Sequence, residues 1–419
     1  MKLVRTAFLS SVITFFRIGS NFIIGKVVAI LTGAAGVATV GAFMNFITIA
    51  YTLSNGAISN GIVKYTAEFK DDEERKNALF STAAKISLYC SLFLGIVIII
   101  LAKYISEFLF YTDTFSGPVV AFGITVGLYS LNTLFLSILN GLGKINYFTI
   151  INSLGSGFIL VLSCLLIYYF RIQGALFALA VGQSLVFFVT LFLIIKHRLF
   201  YFPNFFGTFS KDWAIKFGSY SLMAIVSAIT MPSIQIIIRN YLTNAIGIDQ
   251  AGYWQAMMRI SDGYLLVIVT ALNTYYLPKL SEIKEDGIIR REIFYGYKII
   301  LPFVLLSCVI IYFLRYYVIM LLFSSEFLKI SDILVWQLIG DFFKIAAWVL
   351  SYVLISKAKI RIFIFSELLF SFTYLSLCYV LVNSYGLEGT SMAFCLNMIL
   401  YFIFMVVVLR KLLFYKKEI

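Results

Sequence analysis

Apolar runs of about 20 residues recur along the whole sequence and alternate with short polar segments. A helix needs a run of this length to cross the hydrocarbon core of a bilayer, whereas helices of soluble domains carry one polar face. The pattern predicts about twelve membrane spans. They cover residues 6–30, 37–58, 81–102, 118–139, 148–170, 174–195, 214–238, 253–277, 294–314, 331–355, 362–382 and 389–409. We therefore predict an all-α polytopic membrane protein.

Turn-forming segments separate many of these spans, among them TGAAG, NGLGK, RIQG and NSYGLEG. The longer segment KHRLFYFPNFFGTFSKDW divides the spans into two groups of six. We expect an N-terminal six-helix bundle over residues 1–200 and a C-terminal one over residues 201–419. The first helix pair, IGKVVAILTGAAGVATVGAFMNF, faintly resembles IIRNYLTNAIGIDQAGYWQAMMRI in the second half. Parallel repeats of this kind build transporters whose substrate path runs between two bundles.

The composition agrees with a membrane protein, because 61% of the 419 residues are hydrophobic and only 13% are charged. The net charge of +13 would suggest an acidic partner in a soluble protein, but here the cations concentrate in alternate loops. Such loops stay in the cytoplasm, so we expect both termini there and no nucleic-acid partner. The opposite loops carry Lys103, Arg171, Arg239, Arg315 and Lys329.

The usual signatures of catalysis and of metal binding are missing from the sequence. The five cysteines lie in apolar runs without CxxC spacing, and the one histidine, His197, sits between Lys196 and Arg198 in a basic loop. A phosphate-cradling GxxxxGK[ST] motif does not occur. We therefore expect no catalytic residue, no cofactor and no metal, and a protein that is not an enzyme. A membrane-embedded polysaccharide polymerase remains an alternative, although the predicted external loops are short for one.

The most informative residues are charged groups inside the predicted spans, namely Arg17, Arg259, Asp262, Asp341 and Lys344. A charge near the bilayer centre costs about 2.5–3.5 kcal/mol, so such groups normally face a bundle interior or a wet cavity. Arg259 with Asp262, and Asp341 with Lys344, are each three residues apart and share a helix face. Two explanations stay open: local ion pairs that neutralise each other, or a functional site.

Cations outnumber acids among these internal residues. The cations are Arg17, Lys26, Arg259 and Lys344, and the acids are Asp262 and Asp341. A cationic interior suits an anionic ligand such as a diphosphate, since Arg offers planar donors and Lys a compact charge. An antiporter of cationic drugs, the alternative for a similar architecture, would need an acidic interior instead.

Several stretches resemble one protein family. They include GKVVAILTGAAGVATVGAFMNF, NGIVKYTAEFKDD, YWQAMMRISDGYL, YYLPKLSE, LLFSSEFL and VWQLIGDFFKIAAWVLSYVLISKA. They are similar to the Wzx-type flippases of bacterial polysaccharide assembly, which serve O-antigen and enterobacterial common antigen and belong to the multidrug, oligosaccharidyl-lipid and polysaccharide (MOP) exporter superfamily. The likeness runs from about residue 5 to 405, and the segment from Trp336 to Lys344 is its most specific part.

The resemblance implies a fold of two six-helix bundles around a central cavity, as in MATE transporters. It also assigns positions. Arg17 and Lys26 match basic residues of the family's first helix, Asp262 matches the acid of the ISD motif, and Asp341 with Lys344 match the GDxxK pair.

The implied substrate is an undecaprenyl-diphosphate-linked oligosaccharide, moved by alternating access across the bacterial inner membrane. Arg259 lies outside the resemblance, because the related flippase has a small residue there. Two alternatives stay open for it: a role in this chain's own sugar preference, or no functional role. The polymerase and the chain-length regulator of the same pathway are candidate partners. Asp262 and Asp341 are candidates for ion-coupling sites.

Overall fold

The computed structural model describes residues 2–69, 72–200, 205–283, 285–357 and 359–414, and within these ranges every regular element is a helix. The first seven are α1 (Lys2–Ser54), α2 (Ser59–Glu68), α3 (Glu73–Ile100), α4 (Ala102–Phe110), α5 (Ser116–Gly141), α6 (Ile145–Lys196) and α7 (Lys211–Ile246). The others are α8 (Ile248–Ala271), α9 (Leu277–Glu282), α10 (Asp286–Phe313), α11 (Arg315–Leu322), α12 (Leu334–Ser356), α13 (Ile360–Tyr385), α14 (Glu388–Val408) and α15 (Arg410–Phe414). A π-helical turn, Leu272–Tyr276, joins α8 to α9, and a 3-10 helix, Ser325–Ile330, precedes α12. The predicted all-α class is confirmed.

Each of the twelve predicted spans falls on one of these helices. Nine helices of the described ranges are long and apolar enough to cross a membrane, judged by length and composition. Two of the nine, Phe16–Ser54 and Ile145–Lys196, each overlap two predicted spans. The remaining span corresponds to α8, which carries Asp249, Arg259 and Asp262 and is therefore less apolar than the nine.

Two of the predicted turns are single-residue breaks instead of loops. Within TGAAG only Gly33 leaves helical geometry (φ 66°, ψ −166°), and within RIQG only Arg171 does (φ 51°, ψ −127°). Glycine adopts a positive φ without steric cost, whereas Arg171 is a non-glycine residue in that region. The two spans of α6 also come very close together, because a Cβ on Gly174 would lie 1.9 Å from the carbonyl oxygen of Leu166.

The backbone of the first half is repeated in the second half. The residue between α3 and α4, Leu101, has φ −92° and ψ 9°, and its counterpart between α10 and α11, Leu314, has φ −93° and ψ 8°. Likewise Lys144 before α6 (φ −77°, ψ 52°) matches Lys359 before α13 (φ −78°, ψ 56°). This succession of helices and breaks agrees with the internal repeat inferred from the sequence.

The helices group into two compact units. The first unit comprises Met1–Thr32 and Thr39–Ile236, and the second comprises Gly33–Ala38 and Ile237–Ile419. Within the second unit, α8 packs directly on the backbone of residues 33–38, since a Cβ on Gly252 would lie 2.0 Å from the carbonyl oxygen of Ala34. Only glycine permits that approach. The division of the chain at residue 200 stays a prediction.

Candidate functional site

A buried carboxylate on α12 is the centre of a polar network in the second unit. Asp341 is fully buried, and it accepts hydrogen bonds from two side chains of α8. The Ser261 hydroxyl lies 2.6 Å from both carboxylate oxygens, and the Tyr264 hydroxyl donates to Oδ2 at 2.7 Å. Burying a carboxylate without such donors would be very costly. Ser261 and Tyr264 can both reach it because residues three apart share a helix face.

Two further side chains extend this network. Gln337 lies one turn before Asp341 on α12, and its Nε2 is 3.3 Å from Asp341 Oδ1 and 3.3 Å from Ser261 Oγ. Cys308 of α10 contacts the Tyr264 hydroxyl at 3.5 Å and the Leu338 carbonyl oxygen at 3.5 Å. The network therefore links α8, α10 and α12 inside the second unit.

Lys344 lies one turn after Asp341, but its ammonium is directed to another acid. Its Nζ is 3.6 Å from Asp262 Oδ1 on α8, and it also lies over the rings of Trp348 at 5.1 Å and Phe394 at 5.9 Å from their centroids. The Lys344 side chain is 10% exposed, whereas the Asp262 side chain is 62% exposed. The site thus offers one nearly buried cation whose counter-ion is largely exposed.

The local ion pairs considered from the spacing are not what the structure shows for α12. In the described ranges, the salt bridge of Lys344 joins it to Asp262 on the neighbouring helix, and none joins it to Asp341 within 4.0 Å. The physical reason is that neutral donors from α8 and α12 already occupy the Asp341 carboxylate. The pairing therefore crosses between two helices.

Gly340, the glycine of the GDxxK pattern, has a packing role. A Cβ at this position would lie 2.6 Å from a ring carbon of Phe394 and 3.1 Å from the Cα of Cys395. Without a side chain at Gly340, α14 can approach α12 closely enough to bring Phe394 over the Lys344 ammonium. The glycine, the acid and the lysine of the pattern therefore serve one local arrangement.

The other predicted site residues lie apart from this network or at its margin. Arg259 is half-buried on α8, one turn before Asp262. Arg17 and Lys26 lie on α1 in the first unit, where Arg17 is exposed and Lys26 is half-buried. The structure brings together Asp262, Asp341 and Lys344, and the ligand-binding roles of all six residues stay predictions.

Reasoning from the sequence missed Ser261, Tyr264 and Gln337, because neutral side chains in an apolar helix carry no charge signal. The available indications were the place of Ser261 in the ISD motif, the place of Gln337 in the segment from Trp336 to Lys344, and the spacing of Tyr264 from Asp262. It also misplaced Arg239, which was expected in an external loop. The structure places Arg239 inside α7, fully buried, with NH1 donating to Asn240 Oδ1 at 2.9 Å.

Comparison with known proteins gives matches over most of the chain. A family described as "Polysaccharide biosynthesis protein" matches residues 3–284. The lipid III flippase of Escherichia coli K12 is 28% identical over 411 residues, which is 96% of this chain and 97% of the flippase. The lipid III flippase of Shigella flexneri gives the same values.

Two solved structures share the fold. An inward-facing MATE-family multidrug transporter of the MOP superfamily aligns with a TM-score of 0.76 at 17% identity, covering 94% of each chain. The lipid II flippase MurJ, in an inward closed conformation, aligns with a TM-score of 0.74 at 17% identity and covers 97% of this chain and 87% of MurJ. The expectation of a MATE-like fold is therefore confirmed.

Proposed function

This chain belongs to the family of polysaccharide biosynthesis proteins, as its motifs predicted, and from that premise we propose that it is a flippase for undecaprenyl-diphosphate-linked oligosaccharides. The substrate would be an O-antigen or enterobacterial common antigen repeat unit, carried from the cytoplasmic to the periplasmic leaflet of the bacterial inner membrane. Near full-length similarity to lipid III flippases supports this assignment. The multi-pass helical fold suits the same task.

The charge arrangement in the second unit is the observation that carries the proposal. Neutral donors occupy Asp341, whereas the ammonium of Lys344 has one ionic partner, the exposed Asp262, among the described residues. A phosphate oxygen can approach such an ammonium and form a charge-assisted hydrogen bond. An antiporter of cationic drugs would need an excess of acids, whereas the cations Arg17, Lys26, Arg259 and Lys344 outnumber the acids Asp262 and Asp341 among the candidate residues.

In the proposed cycle the site opens to the cytoplasm, binds the diphosphate and the first sugars, and then opens to the periplasm. The polyprenyl tail stays in the lipid, because moving its apolar surface into a wet, charged site would be unfavourable. Both termini lie in the cytoplasm in this scheme, following the distribution of lysine and arginine. We also propose substrate-binding roles for Arg17, Lys26 and Arg259, and Asp262 or Asp341 would couple the cycle to an ion.

Complementation of a strain that lacks its O-antigen or common-antigen flippase tests this function. Wild type, Arg17→Ala and Lys344→Ala are compared at matched membrane expression, with Lys103→Ala of α4 as a control for the loss of one exposed lysine. We expect wild type and the control to restore surface polysaccharide, and the two site variants to accumulate lipid-linked units inside the cell. Site variants as active as wild type would refute the cationic site.

A purified protein that lengthens glycan chains would instead support the alternative, a membrane-embedded polymerase. The assay supplies lipid-linked repeat units to the protein in vesicles and measures product length by gel electrophoresis. We expect no lengthening.

A further inference from the structure

The ion pair between Lys344 and Asp262 is unequal in burial and loose in geometry. Its 3.6 Å separation is longer than the 2.7–3.2 Å typical of a hydrogen bond from nitrogen to oxygen. The Asp262 side chain is 62% exposed, so water competes for its carboxylate. The Lys344 side chain is 10% exposed and lies over two aromatic rings, which limits its movement. Of the two partners, Asp262 is therefore the one that can leave.

The second acid near Lys344 cannot take over when Asp262 leaves. Asp341 accepts hydrogen bonds from Ser261 and Tyr264 at 2.6 and 2.7 Å, and it is fully buried among its donors. Moving its carboxylate to the ammonium would break these bonds and leave buried hydroxyls unpaired. The loss of Asp262 thus leaves Lys344 without an ion pair within 4.0 Å among the described residues, although Asp341 still acts on it at longer range. An anion from outside can then pair with the ammonium.

We propose that Asp262 is a displaceable counter-ion: it pairs with Lys344 while the site is empty, and a diphosphate oxygen of the substrate replaces it on binding. The inference rests on the flippase function proposed above and adds a role for one residue within it. Asp262 is a positioning residue in this scheme and makes no favourable contact with the diphosphate. A diphosphate carries more negative charge than a carboxylate, so it wins the competition for one ammonium.

This competition predicts the direction in which the affinity for a diphosphate changes when Asp262 is replaced. Replacing Asp262 by the isosteric, neutral Asn removes the competitor and the repulsion between two negative groups. The variant Asp262→Asn should therefore bind a diphosphate about two- to fivefold more tightly than wild type, the factor expected for an exposed ion pair. A merely structural role for Asp262 predicts unchanged or weaker binding. The conservative variant Asp262→Glu retains a competing carboxylate and should not show the gain in affinity of Asp262→Asn.

The experiment measures the Kd of farnesyl diphosphate, a short polyprenyl diphosphate, by calorimetry on the full-length protein in nanodiscs. The set comprises wild type, Asp262→Asn, Asp262→Glu, Lys344→Met and the double variant Asp262→Asn with Lys344→Met. Asp286→Asn at the exposed start of α10 controls for the loss of one acid elsewhere in the second unit. We expect tighter binding for Asp262→Asn alone, weaker binding for Lys344→Met, and no gain when Asn is added to that variant.

The outcomes separate the two proposals. If wild type binds the probe, Lys344→Met weakens binding and Asp262→Asn does not improve it, the counter-ion role is wrong while the Lys344 site stands. If Lys344→Met binds as well as wild type, or wild type does not bind, the cationic site fails and the counter-ion role fails with it. Gains of equal size in Asp262→Asn and Asp286→Asn would show a general charge effect and would also overturn the inference.

Discussion

The two units use the same backbone plan but fill one equivalent position with different chemistry. Both α5 and α12 lead into a helix that starts after a lysine of matching backbone geometry, Lys144 in one case and Lys359 in the other. Aligning these lysines pairs the helices position by position. Phe122, Val126 and Tyr129 of α5 then correspond to Gln337, Asp341 and Lys344 of α12.

In the first unit two of these positions, Phe122 and Tyr129, belong to an aromatic cluster. Tyr129 stacks on Tyr51 with ring centroids 3.5 Å apart, and Phe122 meets Tyr51 edge-on at 5.4 Å. In the second unit the corresponding positions carry an amide, a carboxylate and an ammonium joined to α8 by hydrogen bonds and an ion pair. One unit is thus held by ring packing at this level, and the other by directional polar contacts.

The difference teaches where specificity for a charged ligand can lie in a repeated fold. Ring packing tolerates small shifts, because each dispersion contact is individually weak. A buried carboxylate with fixed donors tolerates few changes, since every unpaired group costs free energy. We therefore expect the second unit to be more sensitive to substitution than the first, and the following variants test that expectation.

The largest effect is expected for Asp341→Val, which places in the second unit the residue found at the equivalent position of the first unit, Val126. Valine cannot accept a hydrogen bond, so the donors Ser261, Tyr264 and Gln337 lose their acceptor, at about 1–3 kcal/mol for each group left unsatisfied. The apparent melting temperature of the purified protein should fall clearly below that of wild type. An unchanged melting temperature would mean that the polar network adds no stability to the second unit.

A subtler change, Asp341→Asn, keeps the shape of the side chain and removes its charge. If Asp341 couples transport to protons, vesicles with this variant should show reduced substrate-driven proton flux, because the amide cannot take up or release a proton in the cycle. The measurement is the change of an internal pH dye at matched protein content. Wild-type coupling in this variant would remove Asp341 from the mechanism and leave Asp262 as the remaining acid.

The smallest effect is expected from a matched pair of tyrosines, Tyr264→Phe in the second unit and Tyr129→Phe in the first. Tyr264→Phe removes one hydrogen bond to a carboxylate, which contributes about 1.5–3 kcal/mol. Tyr129→Phe retains the ring stacked on Tyr51 and removes only a hydrogen bond between neutral groups, to Thr133, so its cost should be about 0.5–1.5 kcal/mol. Denaturation of both variants under the same conditions gives the comparison. Equal losses, or a larger loss for Tyr129→Phe, would contradict the contrast between the units.

The helices were predictable from the sequence because a span needs only length and apolar character, both of which are local. The form of the turns was less predictable. The composition of TGAAG and RIQG indicated loops, whereas in the structure one residue with a positive φ redirects each helix. Such a break depends on how closely the next span packs, as Gly174 shows, and that packing is a tertiary property.

The candidate site was predictable only in its charged members. Asp341 and Lys344 were evident, since a charge inside an apolar run is costly and needs an explanation. Their true partners were not evident, because Ser261 and Tyr264 are neutral and lie on another helix. Spacing along one helix favoured a pair between Asp341 and Lys344. The packing of α8 against α12 decides which groups actually come into contact. Arg17, Lys26 and Arg259 remain predictions from charge and resemblance.

The packing of residues 33–38 into the second unit has a consequence for biosynthesis. The ribosome makes this segment long before it makes Gly252. In the folded protein the backbone of Ala34 packs directly against Gly252, which has no side chain. The first helix is therefore made before the residues that pack against its positions 33–38 in the folded protein. A polypeptide that began at residue 237 would lack six residues of its own unit, so the second unit completes its packing only in a chain that already carries the first helix.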